Sequence, residues 1–272
     1  MSRGASILGG IAGAACLLFA APAGAATLIG DYQLQGTKAS SHGGPALIDL
    51  STETSFQTDT VMGVERQVLR FAFNRGFAMA PAGLGAGTGP YSEVVTFRFD
   101  DALAPSHSYA RILDSTDGFD DSGLYDHNGY LDYFGELTGS HPSAARLFAD
   151  DTYATVAMAV GGGAIRSYFN GSRVVTYEDT NDVDHDTLRF FHDDSSAASG
   201  GAVSCIRVYS GALTDAEVGA IGASPTCGAV TPATATPAPT TTTTPHRKKC
   251  KKQKKKRSAE SAKKKCRKKR KR

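Results

Sequence analysis

Two Asn-Gly dipeptides, at residues 128–129 and 170–171, place the strongest constraint on the fold of this chain. Asn-Gly is the pair that best accepts the positive φ angles of a type I′ turn, the tight turn that joins adjacent antiparallel strands. The second dipeptide lies between two short runs of β-branched and aromatic residues, 165–169 and 173–177. The pattern predicts a β-hairpin that turns at Asn170-Gly171.

Similar short runs recur along the rest of the chain. The further candidate strands are residues 28–34, 46–50, 67–73, 92–100, 109–113, 123–125, 130–134, 153–160, 187–191 and 202–209. After the last of them, Thr214 and Glu217 have the spacing of a capping box, which predicts one short helix that ends at Gly222. About a dozen strands and one helix predict an all-β fold, in which two antiparallel sheets stack as a jelly-roll sandwich.

The order of these features resembles the C-terminal part of LamG-like domains, the laminin G or concanavalin A-like lectin and glucanase family. After the Asn-Gly hairpin, residues 201–209 read GAVSCIRVY and residues 213–218 read LTDAEV. The corresponding family segments read roughly G-x-I-D-D-V-R-I-Y and L-S-x-x-E-I. The match is detailed over residues 164–222 and looser before them. The resemblance implies a concanavalin A-like jelly roll that binds a carbohydrate or a protein.

Composition divides the chain into four parts. Residues 1–25 have a basic start, an apolar middle and a small-residue end, which is the pattern of a secretory signal peptide. Residues 26–227 form the predicted sandwich domain, residues 228–245 a disordered Thr/Pro-rich linker, and residues 246–272 a disordered Lys/Arg-rich tail. No other stretch is apolar over the roughly 18 residues that a membrane-spanning helix needs. The sequence therefore predicts a secreted, extracellular protein without a transmembrane segment.

Four cysteines remain once the signal peptide is removed: Cys205, Cys227, Cys250 and Cys266. An even number of cysteines in an oxidising compartment predicts disulfides. Cys205 lies on the last predicted strand and Cys227 just after the predicted helix, so a bridge between them would attach the helix to the sheet. The alternative is that Cys205 is a buried free thiol.

Charge is separated along the chain. Residues 246–272 contain 18 Lys and Arg and one Glu, a net charge of +17, whereas residues 26–245 contain 11 Lys and Arg and 26 Asp and Glu, a net charge of −15. Because a cationic block binds polyanions through counterion release, we expect the tail to bind anionic envelope polymers such as teichoic acids, acidic glycans or extracellular DNA. The alternatives are that it binds its own acidic domain or has no fixed partner. The tail lacks aromatic residues for base stacking, which argues against sequence-specific nucleic-acid binding.

Acidic loops are the candidate metal-binding elements. Ca²⁺ takes about six to eight oxygen ligands, which loop carboxylates and backbone carbonyls can supply. The LamG-like resemblance also implies calcium at loops on the rim of the sandwich. We predict a calcium site at Asp120, Asp121, Asp193 and Asp194. The loops lack EF-hand spacing, and the alternative is a solvated acidic surface.

Tyrosines are the candidate ligand-binding residues, because sugars usually stack on aromatic rings and the chain has no Trp. We predict a ligand platform at Tyr125, Tyr130 and Tyr133. The alternative is that these side chains pack in the core or within a hairpin.

Catalytic motifs are absent from the sequence. Glucanases of the concanavalin A-like type carry two glutamates on one strand, whereas Glu93, Glu136 and Glu178 stand alone. No G-x-S-x-G nucleophile motif occurs. The main hypothesis is a non-enzymatic binding or adhesion module for an extracellular glycan or a cell-surface protein. The alternatives are a glycan-active hydrolase of the glucanase type and a structural cell-envelope protein.

Overall fold

The computed structural model describes residues 25–51, 54–87, 89–104, 108–178, 186–193 and 197–228. Cys250, Cys266 and Asp194 lie outside these ranges, as do nearly all of the predicted signal peptide, the linker and the tail. The boundaries assigned to those segments therefore stay predictions.

Fifteen strands and one helix form within the described residues. In chain order they are β1 (Thr27–Tyr32), β2 (Ile48–Asp49), β3 (Ser55–Val61), β4 (Val64–Phe71), β5 (Phe77–Met79), β6 (Tyr91–Phe99), β7 (Tyr109–Asp114), β8 (Gly123–His127), β9 (Tyr130–Gly135), β10 (Gly139–Pro142), β11 (Ala154–Gly161), β12 (Ala164–Phe169), β13 (Ser172–Tyr177), β14 (Leu188–Phe190), β15 (Gly201–Ser210) and α1 (Asp215–Ile221).

The strands form two antiparallel sheets that stack as a sandwich, which confirms the all-β fold predicted from the sequence. The first sheet has the order β13-β12-β11-β6-β15-β4-β3, and β1 also pairs with β15. The second sheet has the order β10-β9-β8-β7-β14-β5-β2. The long strand β15 pairs with β6 along one edge and with β4 and then β1 along the other.

The hydrophobic core fills the space between the two sheets, and β6 shows how the sequence produces it. Successive side chains of a strand point to opposite faces, so Val95, Phe97 and Phe99 all point inward and are at most 2% exposed. Behind them, Phe71 and Phe191 stack with their ring centroids 4.3 Å apart. Burial of these large apolar side chains is the main force that holds the sheets together.

Both Asn-Gly turns form as predicted. Asn170 and Gly171 have φ angles of 49° and 84°, and Asn128 and Gly129 have φ angles of 51° and 89°. Two consecutive positive φ angles define a type I′ turn. The turns join β12 to β13 and β8 to β9.

The end of the domain also agrees with the sequence. The Glu217 backbone N–H donates to Thr214 Oγ1 at 3.2 Å, and the Thr214 N–H donates to the Glu217 carboxylate at 2.8 Å, so the predicted capping box is present. Helix α1 ends at Gly222. Cys205 and Cys227 form a disulfide with their Cα atoms 5.9 Å apart, which confirms the predicted bridge. It joins the segment after α1 to the middle of β15.

Three strands were not predicted from the sequence: β3, β5 and β10. The side chains of β3 are mostly exposed, so its residues lack the apolar alternation that marks a half-buried strand. The strands β5 and β10 have only three and four residues, too few to show a repeating pattern; β5 pairs with β14 and β2, and β10 pairs with β9. No helix within the described ranges is long and apolar enough to cross a membrane.

Candidate functional site

Three aromatic side chains form one wall of a pocket on the second sheet: Tyr109 on β7, Tyr125 on β8 and Phe134 on β9. They lie on the face that points away from the first sheet, because the alternate residues Leu124 and Tyr133 point into the core. The rings pack edge to face. The centroids of Tyr109 and Tyr125 are 5.7 Å apart, and each of them is 6.3 Å from the centroid of Phe134.

Two carboxylates complete this pocket, which has a volume of about 140 Å³. Asp121 comes from the loop between β7 and β8, and Asp193 from the segment after β14. Ala197 closes the remaining side, and its carbonyl oxygen accepts a hydrogen bond from the Arg111 backbone N–H at 2.8 Å. Rings and carboxylates from five separate segments therefore face the same space.

Arg111 on β7 organises the acidic side of the pocket from beneath. Its guanidinium forms ion pairs with Asp114 and Asp193 at 2.9 Å each and with Asp121 at 3.3 Å. It also lies over the Tyr125 ring, 4.9 Å from the centroid, as a cation–π contact. The Arg111 side chain is only 1% exposed, so its charge depends on these partners for compensation.

The electrostatic balance of this cluster is negative. One guanidinium and the carboxylates of Asp114, Asp121 and Asp193 leave a net charge of −2. Burial, the largest influence, lowers the pKa of Arg111, but its interactions with Tyr125, Asp114 and Asp193 more than offset this, and the pKa is raised. Burial raises the pKa of Tyr125 well above its ordinary value, so its hydroxyl stays protonated.

Hydrogen bonds hold the loop and the wall in place. The Asp114 carboxylate accepts from the backbone N–H groups of Thr116 at 2.8 Å and of Gly118 at 2.9 Å. The Tyr109 ring stacks on His127 with centroids 4.0 Å apart. The pocket is therefore built from side chains whose positions are already set, which lowers the cost of ordering them on binding.

The structure brings together three of the residues singled out in the sequence: Asp121, Asp193 and Tyr125. The Asp120 carboxylate instead accepts a hydrogen bond from the Ser122 N–H at 2.7 Å, and Asp120 does not line the pocket.

The other two predicted tyrosines are elsewhere. Tyr133 is 2% exposed and stacks in the core on Tyr177, with centroids 5.6 Å apart. Tyr130 lies under Arg146, which is 5.6 Å from its ring centroid, in a separate surface pocket. The three tyrosines thus do not form one platform.

The calcium site stays a prediction. Among the described residues, no group of three or more His, Cys, Asp or Glu side chains is arranged to hold a metal ion. Asp194 lies outside those residues. Arg111 already supplies a positive charge between Asp121 and Asp193.

Sequence reasoning missed Arg111, Tyr109 and Phe134. The available signal was an Arg in the middle of the buried strand run YARILD, three residues before Asp114, since a charged residue rarely interrupts a buried strand without a charged partner. A larger groove of about 640 Å³ lies beside α1, where Arg173 pairs with Asp215 at 3.2 Å. It lacks the aromatic wall of the first pocket.

No family model and no curated protein matches the chain. Solved structures do resemble it. The receptor binding domain of botulinum neurotoxin D has a TM-score of 0.52 and 12% identity, over 71% of this chain and 51% of that chain. The binding domain of Paraclostridial Mosquitocidal Protein 1 has a TM-score of 0.52 and 10% identity, over 71% and 51%.

A third structure is the ligand binding domain of botulinum neurotoxin serotype D in complex with N-acetylneuraminic acid, with a TM-score of 0.51 and 12% identity over 71% of this chain and 50% of that one. The match thus spans about half the length of each of these three chains. At this identity, the shared feature is the β-sandwich fold.

Proposed function

We propose that this chain is a secreted, non-enzymatic carbohydrate-binding module of the LamG-like type, held near the cell envelope by its cationic tail. The observation that carries the proposal is the pocket on the second sheet, where Tyr109, Tyr125 and Phe134 face the same space as Asp121 and Asp193.

This combination of groups suits a sugar. The C–H faces of a sugar ring pack on aromatic rings, and its hydroxyl groups donate hydrogen bonds to carboxylates, which only accept. Charged acceptors make such hydrogen bonds stronger than neutral ones do. Arg111 fixes both carboxylates before the ligand arrives.

The structural neighbours agree with this function only at the level of the fold. One of them is a toxin ligand binding domain in complex with N-acetylneuraminic acid. The same fold supports many activities, so the proposal rests on the pocket of this chain.

The positions of the glutamates support a non-enzymatic role. Glu93 points into the core and is 1% exposed, so a polymer has no access to it. Glu136 lies in the turn between β9 and β10, and Glu178 follows β13. Glycoside hydrolysis needs two carboxyl groups on either side of one bond.

A glycan-active hydrolase is the second candidate, because Asp121 and Asp193 line one pocket. Both are paired with Arg111, and an ionised carboxylate in an ion pair accepts protons rather than donating them. Release of reducing sugar from β-glucan or galactan by the full chain, lost on Asp121→Asn, would favour the hydrolase.

A role at the envelope is supported by the net charge of the tail, which is +17 over residues 246–272. Binding by counterion release falls steeply with salt. Retention of the full chain on isolated cell walls should therefore fall between low and high salt, and a chain that ends at residue 245 should not be retained. Tail-dependent retention without any ligand for the sandwich would identify a structural envelope protein instead.

The direct test of the proposed function is a glycan-array screen followed by titration of the best ligand. Loss of one stacking ring costs roughly 1 kcal/mol, so Tyr109→Ala should weaken binding about tenfold or less. Tyr130→Ala is the matched control, because Tyr130 is a half-buried tyrosine of the same sheet that lines a different pocket. If no glycan binds, the proposal is wrong. If Tyr130→Ala loses binding and Tyr109→Ala does not, the binding site is the pocket beside Tyr130 instead.

A further inference from the structure

We infer that the pocket on the second sheet selects the end of a glycan that carries a free amine over the same sugar with an acetylated amine or a carboxylate. This inference rests on the proposed function and specifies the ligand class of the same site. Three features of the pocket support it: its charge, its aromatic wall and its size.

The charge of the pocket favours a cationic ligand. Of the described residues that line it, two are aspartates and none is Lys, Arg or His. The Asp121 side chain is 54% exposed at the mouth, where an arriving ligand meets it first. Arg111 is 1% exposed and shared among three carboxylates, so these four groups together carry a net charge of −2.

The aromatic wall has the same preference. An ammonium group is attracted to the negative face of an aromatic ring, and the attraction grows when water is excluded. Arg111 already uses one face of Tyr125 in this way. Tyr109 and Phe134 are half-buried, so both contribute exposed ring surface beside Asp121.

The size of the pocket limits how much of a ligand it holds. Its volume is about 140 Å³, whereas sites that enclose a drug-sized molecule have about 300 to 1,000 Å³. One terminal sugar ring can therefore enter, and the remainder of the glycan stays outside. A terminal uronic or sialic acid would bring its carboxylate against Asp121 and Asp193, and like charges repel.

The experiment measures the affinity of the full chain for three β-1,4-linked trisaccharides, made of glucosamine, N-acetylglucosamine or glucuronic acid. The salt concentration is physiological, and the tail is present in every sample. Because the tail attracts anions, it works against the expected order. We expect the glucosamine trisaccharide to bind about fivefold more tightly than the N-acetylglucosamine one, the effect of one partly screened charge pair.

Two variants locate the source of this preference. Asp121→Asn should abolish the preference for the free amine, whereas Glu136→Gln should keep it. Glu136 is the matched control, because the two variants change the net charge equally and Glu136, exposed in the turn between β9 and β10, does not line the pocket. Circular dichroism checks that both variants are folded.

The outcomes separate the two proposals. Equal binding of the three sugars, tighter binding of the glucuronic acid trisaccharide, or equal loss in both variants would overturn the inference and leave carbohydrate binding intact. Absence of binding to all three and to every glycan of the array would overturn both.

Discussion

The guanidinium of Arg111 stacks over the ring of Tyr125, 4.9 Å from its centroid, so one residue both supports a ring of the pocket and forms the centre of a buried ion cluster. The positions of the aromatic wall and of the carboxylates therefore both depend on Arg111. A change at Arg111 must affect the stability of the sandwich and the shape of the pocket together.

Arg111→Met tests the stability of this cluster. Without the guanidinium, Asp114 and Asp193 remain buried with uncompensated charge, and breaking a buried ion pair in this way costs about 3 to 5 kcal/mol. Chemical denaturation of the variant should show a loss of this size. Arg173→Ala is the control, because the Arg173 side chain is 47% exposed and its pair with Asp215 should contribute less than about 1 kcal/mol. Equal losses in both variants would contradict the assignment.

Glu93 should make the domain less stable at alkaline pH. Burial, followed by repulsion from Asp114, raises the pKa of Glu93 to about 8, so the folded state binds a proton that the unfolded state releases at its ordinary pKa of 4.5. The contribution to stability is complete below the unfolded pKa and is lost as the pH rises to 8. Asp126, with a pKa raised by burial to about 8, acts in the same direction.

Glu93→Gln removes this titration, since the amide stays neutral at every pH. Thermal melts between pH 5 and 9 should show the variant gaining on the wild type as the pH rises, by up to a few kcal/mol. Glu65→Gln, at an exposed position of β4, should leave the profile unchanged. A wild-type profile that is flat above pH 5 would show that Glu93 does not titrate as described.

The disulfide between Cys205 and Cys227 closes a loop with a sequence separation of 22. A loop of this size stabilises the folded state by about 3 kcal/mol in the chain-entropy model. A Cys205→Ser, Cys227→Ser double variant should lose this amount, and a reducing agent should lower the melting temperature of the wild type only. If the reductant destabilises the double variant as much, the effect has another origin.

Gly76 lies where a side chain has no space. A Cβ atom at this position would overlap the Phe190 carbonyl oxygen, which belongs to β14 beside β5. Gly76→Ala should therefore cost about 1 to 3 kcal/mol through overpacking. Gly89→Ala is the control, since its Cβ would meet nothing within 4 Å. Urea unfolding of the two variants measures the difference, and equal stability would contradict the packing described for Gly76.

Calcium binding at Asp120, Asp121, Asp193 and Asp194 can be measured by thermal melting of the full chain. An ion that binds only the folded state raises the melting temperature. The prediction is confirmed by a rise on adding Ca²⁺ that EDTA reverses and that an Asp120→Asn, Asp121→Asn double variant lacks. An unchanged melting temperature contradicts it.

Local sequence signals were sufficient for much of the fold. The turn at Asn170-Gly171 and the capping box of Thr214 and Glu217 depend on residues that are adjacent or three apart, so their geometry follows from short-range preferences. The bridge of Cys205 could be inferred because the helix and the last strand are consecutive along the chain.

The pocket could be predicted only in part, because its parts come from distant segments. The sequence was enough to single out Asp121, Asp193 and Tyr125 by residue type. It did not show that Arg111, on a different strand, contacts all three. Which face of a strand lines a pocket depends on register, and the irregularity between Arg111 and Leu113 shifts that register locally.

The bridge from Cys227 to β15 also determines how the domain bears load. A pull on the chain beyond residue 228 passes through the disulfide into Cys205, so it bypasses α1 and acts on a strand that is hydrogen-bonded on both edges. The load is then carried by a strand that pairs with β6 on one edge and with β4 and β1 on the other, instead of by the helix. Reduction of the bridge would make α1 the first element to detach under tension.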